Sequence, residues 1–313
     1  MEVEMVENGL KAVEQELRAA VNSDVNTLYD AGHHIIDSGG KRLRPRVALL
    51  AHLAAGGQAL DQMIPLASAI ELVHTATLVH DDINDHSLTR RGKITVHARW
   101  GRTFALLTGD YLFTKVYEMM APYGPQYNVV MADACVKLVE GETLQALAAK
   151  AGTMDRETYK QIIARKTASL FEAGARMGAM LAGADEAVVT ALSSYGYNLG
   201  LAFQIVDDIL DIVGDPETLG KPVGLDVTQG MGLMMAQNGR KVLGETATMT
   251  AEVEVDPIQE MLLQLRESGA VEVARLQAYE VAQRALAALA EVPPSPARDE
   301  LEAVVNLVIE RQK

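Results

Sequence analysis

Leu78-Val-His-Asp-Asp-Ile-Asn-Asp85 ends an apolar run that starts near Gln62. Its acids stand at i, i+1 and i+4, so a helix places Asp81 and Asp85 on one face. The spacing recurs in Val206-Asp-Asp-Ile-Leu-Asp211, again behind an apolar run, Leu199–Val206. Outward from these two stretches the apolar residues keep helical spacing, and Gly and Pro fall mainly between periodic segments. Val3–Tyr29 is expected to form one or two helices. Further helices are predicted over Arg46–Ala55, Gln62–Asp85, Thr103–Met120, Asn128–Ala149, Thr158–Ala182 and Ala184–Ile212. Ile258–Ala290 gives two more, split near Ser268-Gly269, and Ser295-Pro296 opens the last.

Between these lie a loop over Asp37–Pro45, with Pro45 near the first turn of the next helix, and a charged loop over His86–Lys93. Asp155 is the expected N-cap of the helix at Thr158–Ala182, and Gly214–Asn238 is the least regular part. No run of strand-like alternation competes, and no internal repeat or long linker is visible. Residues 1–313 therefore read as one all-α domain.

Composition agrees. Hydrophobic residues make up 49% of the chain and aromatic residues only 4%, so the core must be built from Leu, Ala, Val, Ile and Met. A net charge of −14, without a basic stripe, argues against nucleic acid as a partner. The single cysteine, Cys135, cannot form an intramolecular disulfide and points to a reducing, cytoplasmic setting. The acidic N-terminus does not resemble a signal peptide. Apolar runs such as Val47–Ala55 are too short to span a membrane, and polar residues interrupt the longer ones.

Acids at a helix C-terminus oppose the macrodipole. Two such ends brought together would repel strongly, and burial would raise their pKa values or demand a counter-charge. Magnesium meets the demand: it prefers oxygen, keeps several waters and shares its shell with phosphates. Zinc-type Cys and His spacings are absent. His74, His80 and His86 do not have the spacing of a helical metal pair, and each alone reads as a hydrogen-bonding or surface residue. Cations form two groups, Lys41/Arg42/Arg44/Arg46 and Arg90/Arg91/Lys93, with Lys166 and Lys221 apart. Any one of them would ordinarily be a solvated surface residue. Gly39-Gly40 strengthens the first group, because backbone N–H groups before a helix can also face an anion. Two basic groups and two acid clusters imply two diphosphate sites.

Together these segments resemble the trans-isoprenyl diphosphate synthases, or polyprenyl synthetases. The resemblance runs from Gly39 to Arg311. It rests on Gly-Gly-Lys-Arg-Leu-Arg-Pro at 39–45, Leu-Val-His-Asp-Asp-Ile-Asn-Asp at 78–85 and Arg90-Arg91-Gly92. Gly109-Asp110, Gly141-Glu142 with Gln145, Lys166-Thr167, and Phe203-Gln204 before Asp207-Asp208-Ile-Leu-Asp211 complete it. Each piece is weak alone; in this order and at these separations they are specific. The resemblance implies an isoprenoid synthase-type helical bundle around a central cavity, usually a homodimer. It also implies an enzyme that joins isopentenyl diphosphate to an allylic prenyl diphosphate.

By that resemblance Asp81, Asp85, Asp207 and Asp211 would ligate Mg2+, with Asp82 and Asp208 in support. Lys41, Arg44, His74 and Arg91 would hold isopentenyl diphosphate. Arg90, Lys166, Gln204 and Lys221 would contact the allylic diphosphate. The family's product tunnel descends from the first aspartate cluster. Thr77 and Ala76 would lie just below the metals, then Val73, Leu72 and Ala69, with Met119 and Met120 as a lower floor. None is aromatic, so a product of C20 or longer is expected.

Gly220-Lys-Pro-Val-Gly-Leu-Asp226 matches the family's pattern, but Met231 stands where a second lysine is expected, and Leu233 and Met235 replace Thr and Pro. Methionine cannot donate to phosphate. A non-catalytic or weakly active subunit of a heteromeric synthase therefore stays open beside the main reading, as does a terpene cyclase. Both complete aspartate clusters disfavour the first. The Lys41/Arg44 group and the second cluster disfavour the second.

Overall fold

The computed structural model describes residues 2–213, 267 and 269–310. Lys221, Met231, Leu233 and Met235 lie outside them, as does the expected helix ahead of Ser268. The described chain is helical as expected, and it packs as two compact units. Unit 1 comprises Met1–Cys135, Leu170–Gly196 and Ala288–Ala303; unit 2 comprises Val136–Ser169, Tyr197–Ala287 and Val304–Lys313. Neither is a contiguous stretch, because the chain passes between them several times.

Unit 1 opens with α1 (Glu2–Ala20), α2 (Asn26–Ile36), α3 (Leu43–Ala54) and α4 (Met63–Asn84). The expected Val3–Tyr29 segment is thus broken, and its second helix runs on to Ile36. Where a charged loop is predicted, a hairpin forms instead: β1 (Thr89–Arg90) pairs antiparallel with β2 (Lys93–Ile94). Arg91 and Gly92, at φ 52° and 72°, make the two-residue turn, and positive φ at both positions suits the strand twist. Strands of two residues are too short to show alternation. Next come α5 (Val96–Trp100), α6 (Arg102–Met120) and α7 (Pro125–Ala151).

The expected helix over Thr158–Ala182 is divided into α8 (Arg156–Ile163), a π-helical segment (Ala164–Ala168) and α9 (Ser169–Leu181). Asp155 caps α8 as predicted, accepting from the Thr158 backbone at 2.7 Å. Those bonds hold the Asp155 carboxyl below its ordinary range. The remaining helices are α10 (Glu186–Val213), α11 (Ala270–Ala288) and α12 (Pro296–Glu310). Ser295 Oγ accepts from the Arg298 backbone at 3.1 Å and so starts α12.

The core of unit 1 is α4. Val73, Ala76, Leu72 and Ala69 are inaccessible, and α4 packs against α1, α3 and α6. Among the described residues α4 alone is long and apolar enough to cross a membrane, and 67% of that window is buried within the protein. Close approach of α3 to α9 depends on Gly178: a Cβ there would lie 2.6 Å from the Ala48 carbonyl oxygen. His52 spans the same junction, with Nδ1 3.1 Å from Gly178 O and Nε2 3.0 Å from Ala59 O. Gly178→Ala should therefore destabilise the protein by about 1–3 kcal/mol, as overpacking does. Urea unfolding measures this, and an unchanged midpoint would show that the two helices can part without cost.

Candidate functional site

In unit 1 the acid end of α4 meets the β1–β2 hairpin. Asp85 caps the helix, its N–H donating to Asp81 O at 2.8 Å, and both residues are half-buried. Asp82 turns inward, is 1% exposed, and accepts from Arg90 Nε at 2.7 Å. Burial raises its carboxyl more than the arginine lowers it. Its other oxygen, Oδ2, is buried with no hydrogen-bond partner. Asp82 is thus an anchor, and Asp81 and Asp85 are the pair with accessible surface.

The next arginine, Arg91, donates from Nη1 to Gly39 O. Its guanidinium lies against Gly40, whose φ is 155° and where a Cβ would sit 2.8 Å from Nη1. A side chain at position 40 would therefore force the Arg91 guanidinium to shift. Lys93 Nζ donates to Asp37 O at 2.7 Å, fixing the hairpin to the α2–α3 loop a second time. That loop carries the other basic group, which divides. Arg42 is buried against acids, Arg46 pairs with Glu7 at 2.7 Å, Arg44 lies 4.8 Å from the Phe171 ring centroid, and Lys41 stays at the surface. Of this run of four, Arg42 and Arg46 are thus committed to ion pairs with Glu14, Glu71 and Glu7.

His74 lies two helical turns below Asp81 on α4. Burial first, and then the charges of Arg44, Arg91, Arg90 and Arg42, hold its imidazole well below the usual range. It is neutral near pH 7 and able to donate one hydrogen bond. Of the other histidines singled out, His80 is structural. Its Nε2 is 3.2 Å from Leu106 O, and it occupies the space a side chain at Gly109 would need. His86 is exposed at φ 53°. Of the chain-length candidates, Val73 and Ala76 are at 0% exposure and Met120 at 2%, while Thr77 is half-buried with its hydroxyl on His74 O.

Unit 2 holds the second cluster at the end of α10. Asp207 is half-buried, Asp208 is 6% exposed and Asp211 1%. As in the first cluster, the middle acid is tied down by neighbours. Tyr159 Oη donates to Asp208 Oδ2 at 2.5 Å, and Gln204 Nε2 donates to Oδ1 at 2.9 Å. Gln204 Oε1 accepts in turn from Thr167 Oγ1 at 2.8 Å. Thr167 and Lys166 stand on the π-helical segment, a widening of the helix that often marks functional positions. Lys166 Nζ lies 2.5 Å from Glu142 Oε2 and 3.3 Å from Gln145 Oε1. Gly141 admits this segment, since a Cβ there would be 2.7 Å from the Lys166 backbone nitrogen.

Sequence reasoning did not single out Tyr159 or Arg42. A tyrosine on an amphipathic helix reads as core, and an arginine inside a basic run reads as one of the run. Among the described residues no three acidic, His or Cys side chains converge as a self-sufficient metal cage. Each cluster offers oxygen donors alone, and Asp81 and Asp85 retain surface for an ion that completes its shell with water or ligand oxygens. That donor chemistry fits Mg2+ or Ca2+. Removing the Tyr159 hydroxyl should expose the cost of holding Asp208. Tyr159→Phe is expected to lower stability by about 1–3 kcal/mol in urea unfolding, and a change near zero would show that Asp208 does not depend on it.

Comparison with known proteins gives the family. Residues 25–241 match the Polyprenyl synthetase family. The heptaprenyl diphosphate synthase component 2 of Geobacillus stearothermophilus is 38% identical, over 92% of this chain and 91% of its own. The octaprenyl diphosphate synthase of Escherichia coli is 34% identical, over 99% and 98%. A crystal structure of a Caulobacter crescentus polyprenyl synthase, complexed with calcium and isoprenyl diphosphate, superimposes with a TM-score of 0.89 at 35% identity, over 100% and 97%. With the family model matched over most of the chain and relatives above 30% identity aligned nearly end to end, the chain belongs to the polyprenyl synthetase family.

Proposed function

We propose that this prenyltransferase condenses isopentenyl diphosphate with an allylic prenyl diphosphate and releases an all-trans polyprenyl diphosphate of C20 or longer. The observation that carries this reading is the double attachment of the hairpin. Arg90 holds it to the acid end of α4 through Asp82, and Arg91 holds it to the Gly39–Lys41 loop. One small structure thereby brings carboxylates and two basic groups together, which a diphosphate with a divalent cation requires. A divalent metal, when bound, supplies positive charge against the leaving diphosphate.

The metal set Asp81, Asp85, Asp207 and Asp211, and the choice of Mg2+, rest on the repeated acid spacing and the all-oxygen donors. Lys41, Arg44, neutral His74 and Arg91 bind the isopentenyl diphosphate, His74 by hydrogen bond and the cations by charge. Arg90, Lys166, Gln204 and Lys221 serve the allylic diphosphate. Lys166 exchanges its Glu142 partner for phosphate oxygens. Positive charge held around the leaving group lets the allylic C–O bond ionise, and the apolar residues of α4 keep water from the resulting cation. The chain acts as one unit over residues 1–313, as a cytoplasmic homodimer. The word "component" in the Geobacillus protein's name makes a second subunit the alternative to test.

The purified chain is incubated with Mg2+, labelled isopentenyl diphosphate, and geranyl, farnesyl or geranylgeranyl diphosphate. Elongation by the single chain is expected, and EDTA should abolish it. No elongation with any primer defeats the reading, and elongation only after adding a second component supports the heteromer. Asp81→Ala should lower kcat on the order of 100-fold or more. Ala76→Tyr should shorten the product, and an unchanged product ladder on thin-layer chromatography from a folded variant would remove Ala76 from the tunnel wall.

A further inference from the structure

Arg42 has the wrong surroundings for an anion-binding residue. It is 7% exposed, although its neighbours Lys41 and Arg44 keep more surface. Four of its five N–H donors are committed. Nε and Nη2 grip Glu14 at 2.5 and 3.2 Å, Nη1 donates to Glu71 Oε1 at 2.8 Å, and Nη2 also reaches Ile36 O at 3.2 Å. These partners come from α1, α4 and the end of α2. Glu71 is itself 3% exposed and stands one turn below His74 on α4.

The backbone around Arg42 is unusual too. Its φ is 48°, a left-handed value for a non-glycine residue, and it occupies the N-cap of α3 without a side-chain capping bond. Such a conformation persists only where surrounding structure imposes it. The buried guanidinium holds one side of this loop, and Arg91 against Gly39 and Gly40 holds the other. Lys41 lies between these two fixed points, and Arg44 lies in the first turn of the helix they start. A buried ion pair adds little net stability over an apolar equivalent, but it can fix register.

We infer that the Glu14–Arg42–Glu71 triad positions the α2–α3 loop so that Lys41, Arg44 and Arg91 face one diphosphate, that of isopentenyl diphosphate. Arg42 is a positioning residue and touches neither substrate. The inference rests on the function proposed above and assigns the triad to one of its two substrates. A lysine at position 42 keeps the charge but has no planar fork, so it cannot hold Glu14 and Glu71 together.

Arg42→Lys and, separately, Glu71→Gln are compared with the unaltered chain by steady-state kinetics, with circular dichroism to confirm folding. Each variant should raise KM for isopentenyl diphosphate about tenfold, while kcat and the KM for the allylic substrate change less than about twofold. A purely structural triad would lower the folded fraction and so reduce the apparent kcat with either substrate varied. Arg42→Lys combined with Glu71→Gln should be no worse than the more impaired single variant, because both break one unit. Failure of one variant to fold leaves the other to decide. An unaltered chain without activity defeats the functional reading and this inference with it. An active unaltered chain, with KM for isopentenyl diphosphate unchanged in the variants or kcat falling for both substrates alike, overturns this inference alone.

Discussion

Like charges at the end of a helix are the constraint from which the site is built. Asp81, Asp82 and Asp85 crowd the C-terminal turn of α4, where the helix dipole already disfavours them. Crowding of this kind is relieved by turning one acid inward to a donor. Asp82 takes Arg90 as its donor, and that bond fixes the β1–β2 hairpin beside the acids. Asp208 solves the same problem in unit 2 without a charged partner, through the Tyr159 hydroxyl and the Gln204 amide. The two clusters share a spacing, but their anchors differ, and in the second Asp211 is buried along with Asp208.

Fixing the hairpin has further effects. Arg91 directly follows Arg90 as the first residue of a two-residue turn with positive φ at both positions, so the direction of one arginine sets that of the next. It lands on Gly39-Gly40, where a side chain at position 40 would displace its guanidinium. The basic loop and the acid helix end are thus linked by a run of short-range bonds within unit 1. The same concentration of positive charge, added to burial, keeps His74 neutral.

The segment around Lys166 shows how a change of helix type re-aims side chains. The π-helical turn at Ala164–Ala168 rephases the residues around it. Thr167 then reaches Gln204, while Lys166 lies against Glu142. Gly141 makes the approach possible by having no side chain. An unbroken α-helix over the same residues would place Lys166 and Thr167 at a different phase.

The sequence by itself determined the helices, the Asp155 cap and the repeated acid spacing, because these depend on residues three or four positions apart. It also separated Asp81 and Asp85 from Asp82 by phase along the helix. It could not distinguish Arg42 from Lys41 and Arg44, since their roles depend on Glu14 and Glu71, which lie 28 and 29 residues away. Nor could it show the hairpin, whose strands are too short for a pattern, or the link from Tyr159 to Asp208 across 49 residues. Tertiary structure decided which members of each charged run turn inward. A buried charge is tolerated only where a distant segment supplies its partner, and no local pattern of residues records which segment that is.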